Sequence, residues 1–291
     1  IIPTGQAYYT HIVESPKNKE AFFAFFKKAT EPYNFTQVSI RPYLMDFYYL
    51  YQSRVFTNPE LRDVAFALID ASQEAYRREP FDIRFFTREA QAYLQLAKED
   101  DRFYKNAETT IRRAIAVSPK RVDLYYTLAV ALSGQKRHDE AIRAARTAIT
   151  LNPSVLRAYY HLALIAVDAG ETNIALDALS IIHEQDPHLI TFSQWDMQGI
   201  VVIYEALDEA EPIVNIMTDS AKGINLGKFE ARYYESALSY HFLRRDAENF
   251  IAVAEYIKKT FIQRKEDMEI LIDLARNGNW DIIESLSEGS I

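Results

Sequence analysis

A spacing of 34 residues constrains this chain more than any other feature. Pro119, Pro153 and Pro187 recur at that interval, and each follows a Ser, Asn or Asp. Between them these sets recur in register: Ala107, Ala141 and Ala175; Ile111, Ala145 and Leu179; Ala114, Ala148 and Ile182; Tyr125 and Tyr159; Leu128 and Leu162; Ala129 and Ala163. Self-similarity at such a period is typical of stacked helix pairs. The spacing therefore predicts a helical repeat array over residues 80–187, which is a binding scaffold.

The composition excludes several other classes of protein. With a formal net charge of −8 and a pI near 5.4, the chain lacks the surplus of Lys and Arg that a general nucleic-acid binder needs. It has no cysteine, which excludes disulfides, thiolate zinc sites and a cysteine nucleophile. No run of 18 apolar residues occurs, so we expect no membrane span in this segment. Only 8 glycines occur, which favours long helices.

The proline punctuation predicts three parts of one all-α chain. Most prolines follow Ser, Asn, Asp or Glu, and we expect them to start helices. Residues 1–79 are predicted to be divergent N-terminal helices, at 5–14, 17–30, 35–56 and 59–78, that cap the array. Residues 80–187 are predicted to be the regular units, and residues 188–291 to be divergent helix pairs with a C-terminal cap.

Local signals within the regular units predict how their helices end. The first unit is five residues longer than the period, and we assign the excess to a charged insertion at residues 98–104. Gly134 and Gly170 follow the first helices of the next two units and are predicted to be left-handed C-terminal caps. Thr172 is predicted to cap the helix that follows Gly170.

The recurring residues resemble the tetratricopeptide repeat (TPR) family. That family places an aromatic residue and then Leu-Gly or Leu-Ala in the first helix, alanines in the second helix, and Pro at the boundary. Matching residues in three units are Phe86, Ala90, Tyr93, Ala107, Ile111, Ala114 and Pro119; Tyr125, Leu128, Ala129, Ala141, Ala145, Ala148 and Pro153; Tyr159, Leu162, Ala163, Ala175, Leu179, Ile182 and Pro187. Glu89 departs from the pattern, since it stands where Leu is usual. The resemblance implies a right-handed α-solenoid of antiparallel helix pairs.

The resemblance also implies a binding groove on the concave side, lined by the first helices. The groove residues would be Arg84, Thr87, Arg88, Gln91, Asp123, Tyr126, Val130, Arg157, Tyr160, His161 and Leu164. Because Arg and Tyr are enriched at binding hot spots, they suit an extended, partly acidic peptide. The alternative is that the tyrosines pack on neighbouring helices and the arginines are solvated. The family's carboxylate clamp is not expected, since Gln91, Val130 and Leu164 replace its groove Asn.

A second resemblance is to the soluble C-terminal TPR region of bacterial O-antigen-ligase-like membrane proteins. It rests on the aromatic N-terminal helices, on residues 61–78, and on the run from Ala107 to Arg121. It implies an accessory domain of a membrane-embedded glycan ligase, cut after the last membrane helix and placed outside the bacterial cytoplasm. The first hypothesis remains a non-catalytic scaffold for a protein or peptide partner.

Signals for chemistry within the chain itself are weak. The six histidines are not spaced as metal ligands, and no cofactor is expected. Acidic residues at 99–101 could act as paired carboxylates, but their place between helices favours a solvated loop. No glycine-rich phosphate loop and no GxSxG motif occurs. We therefore expect no enzymatic activity in this segment.

Overall fold

The computed structural model describes residues 58–78, 81–225 and 227–288, and regular structure within these ranges is helical. The helices are α1 (Asn58–Arg78), α2 (Ile83–Leu96), α3 (Arg102–Val117), α4 (Val122–Ser133), α5 (His138–Leu151), α6 (Leu156–Asp168), α7 (Thr172–Gln185), α8 (Gln194–Ala206), α9 (Ala210–Ala221), α10 (Ala231–Leu243), α11 (Ala247–Thr260), α12 (Lys265–Arg276) and α13 (Trp280–Glu288). A 3₁₀ turn, Ile262–Arg264, joins α11 to α12. Within these ranges, no helix is both long and apolar enough to cross a bilayer.

The helices form two compact units that divide between Ser154 and Val155. In the first unit, α1 to α4 each pack on the next helix in the chain. In the second unit, α6 packs on both α7 and α8, while α9 packs on α8, α10 and α11. The predicted all-α fold of helix pairs is confirmed. The predicted boundaries at 79/80 and 187/188 stay predictions, and the helices predicted within residues 1–57 lie outside the described residues.

The recurring small residues form the contact between paired helices. Ala107 of α3, Ala141 of α5 and Ala175 of α7 are fully buried, as are Ala129 and Ala163 of the facing helices. A methyl side chain lets two helix backbones approach closely, and larger neighbours such as the buried leucines fill the remaining space. The 34-residue period therefore marks the core.

The prolines at the repeat boundaries do not start helices, so the prediction is wrong there, whereas Pro59 and Pro212 lie in the first turns of α1 and α9 as predicted. Pro119 and Pro153 lie in turns, three residues before α4 and α6 begin. The residues before them, Ser118 and Asn152, are the C-caps of α3 and α5. Proline cannot donate a backbone hydrogen bond and therefore stops the preceding helix at this place.

The predicted loop at residues 98–104 is partly helical, because α3 already begins at Arg102. This extra helical turn carries Tyr104, whose ring atoms lie 2.3–2.4 Å from where a side chain at Gly134 would place its Cβ. Gly134 has a right-handed φ of −60°, so the predicted left-handed cap is wrong there. Its role is to give space to the Tyr104 ring.

The cap predictions around α7 divide into one success and one failure. Gly170 has a φ of +76°, as a left-handed C-terminal residue should. Thr172 is the first residue of α7, and Glu171 precedes it in the N-cap position without a side-chain cap bond. The predicted Thr172 cap is therefore wrong.

Glu89 replaces the family's usual Leu and is only 3% exposed. Its carboxylate accepts a 2.9 Å hydrogen bond from Gln73 of α1. Burial raises the pKa of Glu89, against the opposing effects of Gln73 and the Arg113 guanidinium. Arg113 of α3 also lies 4.5 Å from the ring centroid of Tyr76 and 5.1 Å from that of Phe86. This polar network joins α1, α2 and α3 where an apolar side chain would otherwise sit.

Candidate binding surface on the first helices

The predicted groove residues occupy equivalent positions of successive first helices. The second, fifth and ninth residues are Arg84, Thr87 and Gln91 in α2; Asp123, Tyr126 and Val130 in α4; and Arg157, Tyr160 and Leu164 in α6. Arg88 and His161 are the sixth residues of α2 and α6. None of these side chains is fully buried, whereas the opposite faces of the same helices form the core. We call the second, fifth and ninth positions the first-helix strip.

In α2, the strip begins with an arginine that is bound to the N-cap of its own helix. The Arg84 Nη2 and Nε donate to both carboxylate oxygens of Asp82 at 2.6–3.0 Å. The hydrogen bond from Arg84 lowers the pKa of Asp82. The Thr87 hydroxyl donates to the helix backbone, Arg88 is half-buried and Gln91 is exposed. Arg84 and Gln91 are thus the accessible polar groups of this helix.

In α4, Asp123 accepts a 2.7 Å hydrogen bond from Arg121, the residue before the helix. That hydrogen bond raises the pKa of Arg121, and charge interactions with Tyr126 and Asp82 act in the same direction. Tyr126 and Val130 are half-buried, and they continue the strip as an aromatic and an apolar contact.

In α6, Arg157 connects two helices of the second unit. Its Nη2 donates to the Asp196 Oδ2 at 2.5 Å. Asp196 and Ser193 form a reciprocal capping box at the start of α8, in which the Ser193 hydroxyl donates to the same carboxylate oxygen at 2.7 Å. Asp196 is nearly buried, so this ion pair is better shielded from water than the one in α2. Arg157 therefore has a structural contact as well as a place on the strip.

Tyr160 also packs against α8. Its ring lies 6.4 Å from that of Phe192, and its hydroxyl would be 2.2 Å from a Cβ at Gly199. This is the alternative weighed from the sequence, in which the tyrosine packs on a neighbouring helix. Only a glycine at position 199 leaves room for the Tyr160 hydroxyl. Its half-buried side chain still presents an edge to the surface.

The contact between Tyr160 and Gly199 makes the effect of Gly199→Ala depend on Tyr160. Alanine gains about 1 kcal/mol in helix propensity. The clash outweighs that gain, since overpacking costs about 1–3 kcal/mol. We expect Gly199→Ala to lower the free energy of unfolding in the wild-type background and to raise it in a Tyr160→Ala background, as measured by chemical denaturation.

Gly170→Ala is the matched control for this cycle. No atom lies within 4 Å of a Cβ there, but the positive φ strains any other residue. Its cost should be the same in both backgrounds. If Gly199→Ala also changed the free energy of unfolding equally in the wild-type and Tyr160→Ala backgrounds, the packing of Tyr160 on Gly199 would be contradicted.

His161 lies beside the same ion pair. Burial lowers its pKa to about 4, with Arg157 adding to the effect and Asp196 opposing it. The imidazole is therefore neutral at neutral pH and contributes no charge to the strip. Leu164, the last predicted residue, is half-buried on the same helix. Among the described residues, no group of three or more His, Asp or Glu is placed to hold a metal ion.

Two further first helices, α8 and α10, have the same three positions, but the sequence analysis named no groove residues in them. The equivalent positions are Trp195, Gln198 and Val202 in α8, and Arg232, Glu235 and Ser239 in α10. Val202 is 55% exposed, although it is apolar and central in its helix. These residues were missed because α8 begins four residues later than the period requires. An allowance for that extension would place Val202 in register with Val130 and Leu164.

The first and second helices of these units define a helical-repeat protein. Residues 100–181 match the model of the family described as "Anaphase-promoting complex, cyclosome, subunit 3", over less than a third of the chain. Together with the helix pairs and the buried positions described above, this match shows that residues 100–181 are similar to tetratricopeptide-type repeats. Comparison with curated protein sequences gives no match.

Solved structures with similar helix arrangements include three at 18% sequence identity. The crystal structure of MamA gives a TM-score of 0.41 and covers 64% of this chain and 94% of that one. YrrB, titled a TPR protein with an unusual peptide-binding site, gives 0.36 and covers 68% and 84%. PilF of Pseudomonas aeruginosa gives 0.40 and covers 73% and 99%. None of the three is an O-antigen ligase, and that resemblance stays a prediction.

Proposed function

We propose that the chain is a non-catalytic interaction scaffold in which the first helices of each compact unit bind an extended, partly acidic peptide segment through their part of the first-helix strip. The observation that carries the proposal is the recurrence of surface-accessible side chains at the same three positions of successive first helices within each unit. Within a unit, such recurring positions offer repeated contacts to an extended peptide. A peptide-binding TPR protein, YrrB, is among the similar structures.

The chemistry of the strip suits a peptide with both carboxylates and apolar groups. The Gln91 amide can pair with a peptide backbone, and Tyr126 offers contact area with a polar end. The Gln198 Nε2 already donates to the Lys228 carbonyl at 3.2 Å, which leaves its amide oxygen as an acceptor. Val202 is an exposed apolar contact in the second unit. Each unit thus has polar, aromatic or apolar positions in one row.

The arginines of the strip hold carboxylates of this chain that a peptide carboxylate could replace. Arg84 binds Asp82, and Arg232 binds Glu230 at 3.2 Å and Glu205 at 3.7 Å. Both arginines are well exposed, and exposed ion pairs contribute at most about 1 kcal/mol. Exchange of these partners is therefore inexpensive, whereas Arg157 should stay with the nearly buried Asp196.

A peptide array tests the proposal in both units. Wild-type protein would be applied to immobilised synthetic 12-residue peptides of mixed sequence with zero to six acidic residues. We expect the bound peptides to be enriched in Asp and Glu. Arg84→Ala/Tyr126→Ala and, separately, Val202→Asp should weaken binding of the selected peptides about tenfold or more, which corresponds to about 1.4 kcal/mol.

The matched control is Lys120→Ala/Thr150→Ala, which changes two exposed residues off the strip. Circular dichroism of each variant checks the fold. If the Tyr126 variant unfolds, Val202→Asp still tests the proposal, because Val202 is exposed and its substitution should leave the fold intact. Binding that survives both strip variants, or that the control weakens equally, would contradict the proposal. The accessory-domain hypothesis from the sequence remains a prediction, since no feature of the described residues favours it.

A further inference from the structure

A second surface lies on the second helices of the first unit. Lys105 and Arg112 of α3 and Arg143 and Arg146 of α5 are all exposed. The opposite faces of α3 and α5 are buried and contain the alanines of the core. Arg112 and Arg146 are 34 residues apart and so hold the same place in successive repeats. We call these four residues the basic outer face.

Two acids near this face, Glu108 and Glu140, are bound by cations, whereas Asp139, at the place of Lys105 in α5, is exposed. Glu108 is 3% exposed and accepts from Lys105, Arg112 and Arg137 at 2.9–3.0 Å. Glu140 binds Arg137 at 2.7 Å. The pKa of Glu140 is lowered chiefly by Arg137, with further contributions from Arg143 and Arg112. Arg137, which directly precedes α5, pairs with Glu108 of α3 as well as with Glu140 of α5 and so connects the two helices at this face.

The positive charge is local to these two helices. In α7, the residues at the places of Arg143 and Arg146 are Asp177 and Ser180. Residues 1–154 contain 22 Lys and Arg against 18 Asp and Glu, while residues 155–291 contain 11 against 23. The basic outer face is thus a particular feature of this chain, which is acidic as a whole. Packing of the repeats does not require it, because Arg143 and Arg146 project away from the core.

We infer that the basic outer face binds a short acidic polypeptide segment, at a site separate from the first-helix strip. Arginine guanidinium groups bind carboxylates in a planar, bidentate geometry. Arg143 and Arg146 can each take a peptide carboxylate, while Lys105 and Arg112, which also bind Glu108, add positive charge beside them. Val117 and Leu151 end the two helices, 34 residues apart, and each is 37% exposed. They add an apolar contact at one end of the face, which an acidic segment with a hydrophobic residue would use.

The charge distribution favours a short polypeptide over a long polyanion. Screening limits the attraction of the face to about 8 Å at physiological ionic strength. A long nucleic acid or an anionic membrane surface is repelled by the net charge of −8 of the whole chain. A segment of about ten residues can remain within the field of α3 and α5 alone. Charge complementarity and limited extent therefore point to the same ligand class.

Fluorescence anisotropy of the full chain tests this inference. The probe is a labelled synthetic 12-residue peptide with eight Asp and Glu residues and a terminal Leu. We expect saturable binding at 50 mM salt that weakens as salt is raised, and a loss of tenfold or more in Arg143→Gln/Arg146→Gln. Both substitutions lie on an exposed helix face, so the helical signal in circular dichroism should not change.

Arg77→Gln is the matched control, because it removes an exposed arginine of the same unit, in α1, that belongs to neither the first-helix strip nor the basic outer face. Equal losses in the two variants, or no binding by wild-type protein, would overturn the inference. Stronger binding of 12-nucleotide single-stranded DNA, or of vesicles with phosphatidylserine, with the same loss in Arg143→Gln/Arg146→Gln, would overturn the polypeptide assignment. The peptide array reports on the strip through other variants, so either proposal can fail without the other.

Discussion

Phe86→Ala should lower the free energy of unfolding by about 3–5 kcal/mol, the largest effect we expect from a single substitution. Phe86 is 1% exposed, and its ring centroid lies 4.5 Å from that of Tyr76 in α1. The Arg113 guanidinium of α3 also lies over the Phe86 ring. Truncation leaves a cavity where three helices meet and removes a cation–π contact. Urea denaturation followed by circular dichroism measures the change.

Phe81→Ala is the control for this prediction. Phe81 lies five residues upstream and is 83% exposed, so its truncation should change the stability by no more than about 0.5 kcal/mol. The comparison separates burial from residue type. Equal effects of the two substitutions would contradict the packing described for α1, α2 and α3.

Glu108→Gln should lower the free energy of unfolding at pH 7 by about 2 kcal/mol. The Glu108 carboxylate is buried and accepts from Lys105, Arg112, Arg137 and the Gln135 amide. Glutamine keeps the shape but removes the charge that these donors stabilise. The expected loss is smaller than for a fully buried ion pair, because the three cations are partly exposed to water. Glu99→Gln, on an exposed turn, is the control.

The stabilisation by Glu108 should depend on pH. Burial alone would raise the pKa of Glu108, but hydrogen bonds from Lys105, Gln135, Arg112 and Arg137 outweigh it and lower the pKa to about 2. The unfolded chain therefore binds the proton first as the pH falls. The contribution is complete above pH 4.5 and is lost between pH 4.5 and 2. The stability difference between wild type and Glu108→Gln should shrink across this range, and a constant difference would contradict the assignment.

Much of the fold could be predicted from the sequence because the core repeats. Ala141, Ala145 and Ala148 lie on one face of α5, and each is buried. Small or aliphatic residues recur at the equivalent positions 34 residues away in the neighbouring units. Helix ends were predicted less well, since their stabilisation depends on neighbours. A glycine after a helix, such as Gly134, is the residue type expected at a left-handed cap, but its backbone is right-handed. The Tyr104 ring, thirty residues earlier in the chain, explains why a glycine is there.

The candidate sites show a similar division. The first-helix strip follows from periodicity as far as Leu164, but Val202 was missed. The reason is the connection after α7, where the Asp186 carboxylate accepts hydrogen bonds from Ile190 and Thr191 and holds an extended turn. The local pattern that marks the delayed start of α8 is the capping box of Ser193 and Asp196, which the 34-residue period alone does not take into account. The basic outer face was not predicted, because exposed arginines on one helix carry no sign of which cations lie on its neighbour.

By itself, the sequence determined the helix pairs and their buried faces. Apolar spacing and small residues decide these within one or two helical turns. Only the tertiary structure decided which surface side chains are committed to contacts within the chain. Arg157 illustrates this, because its partner Asp196 lies 39 residues away in the capping box of α8. Such pairings depend on how two helices are placed in space, and the charge of either residue alone does not specify them.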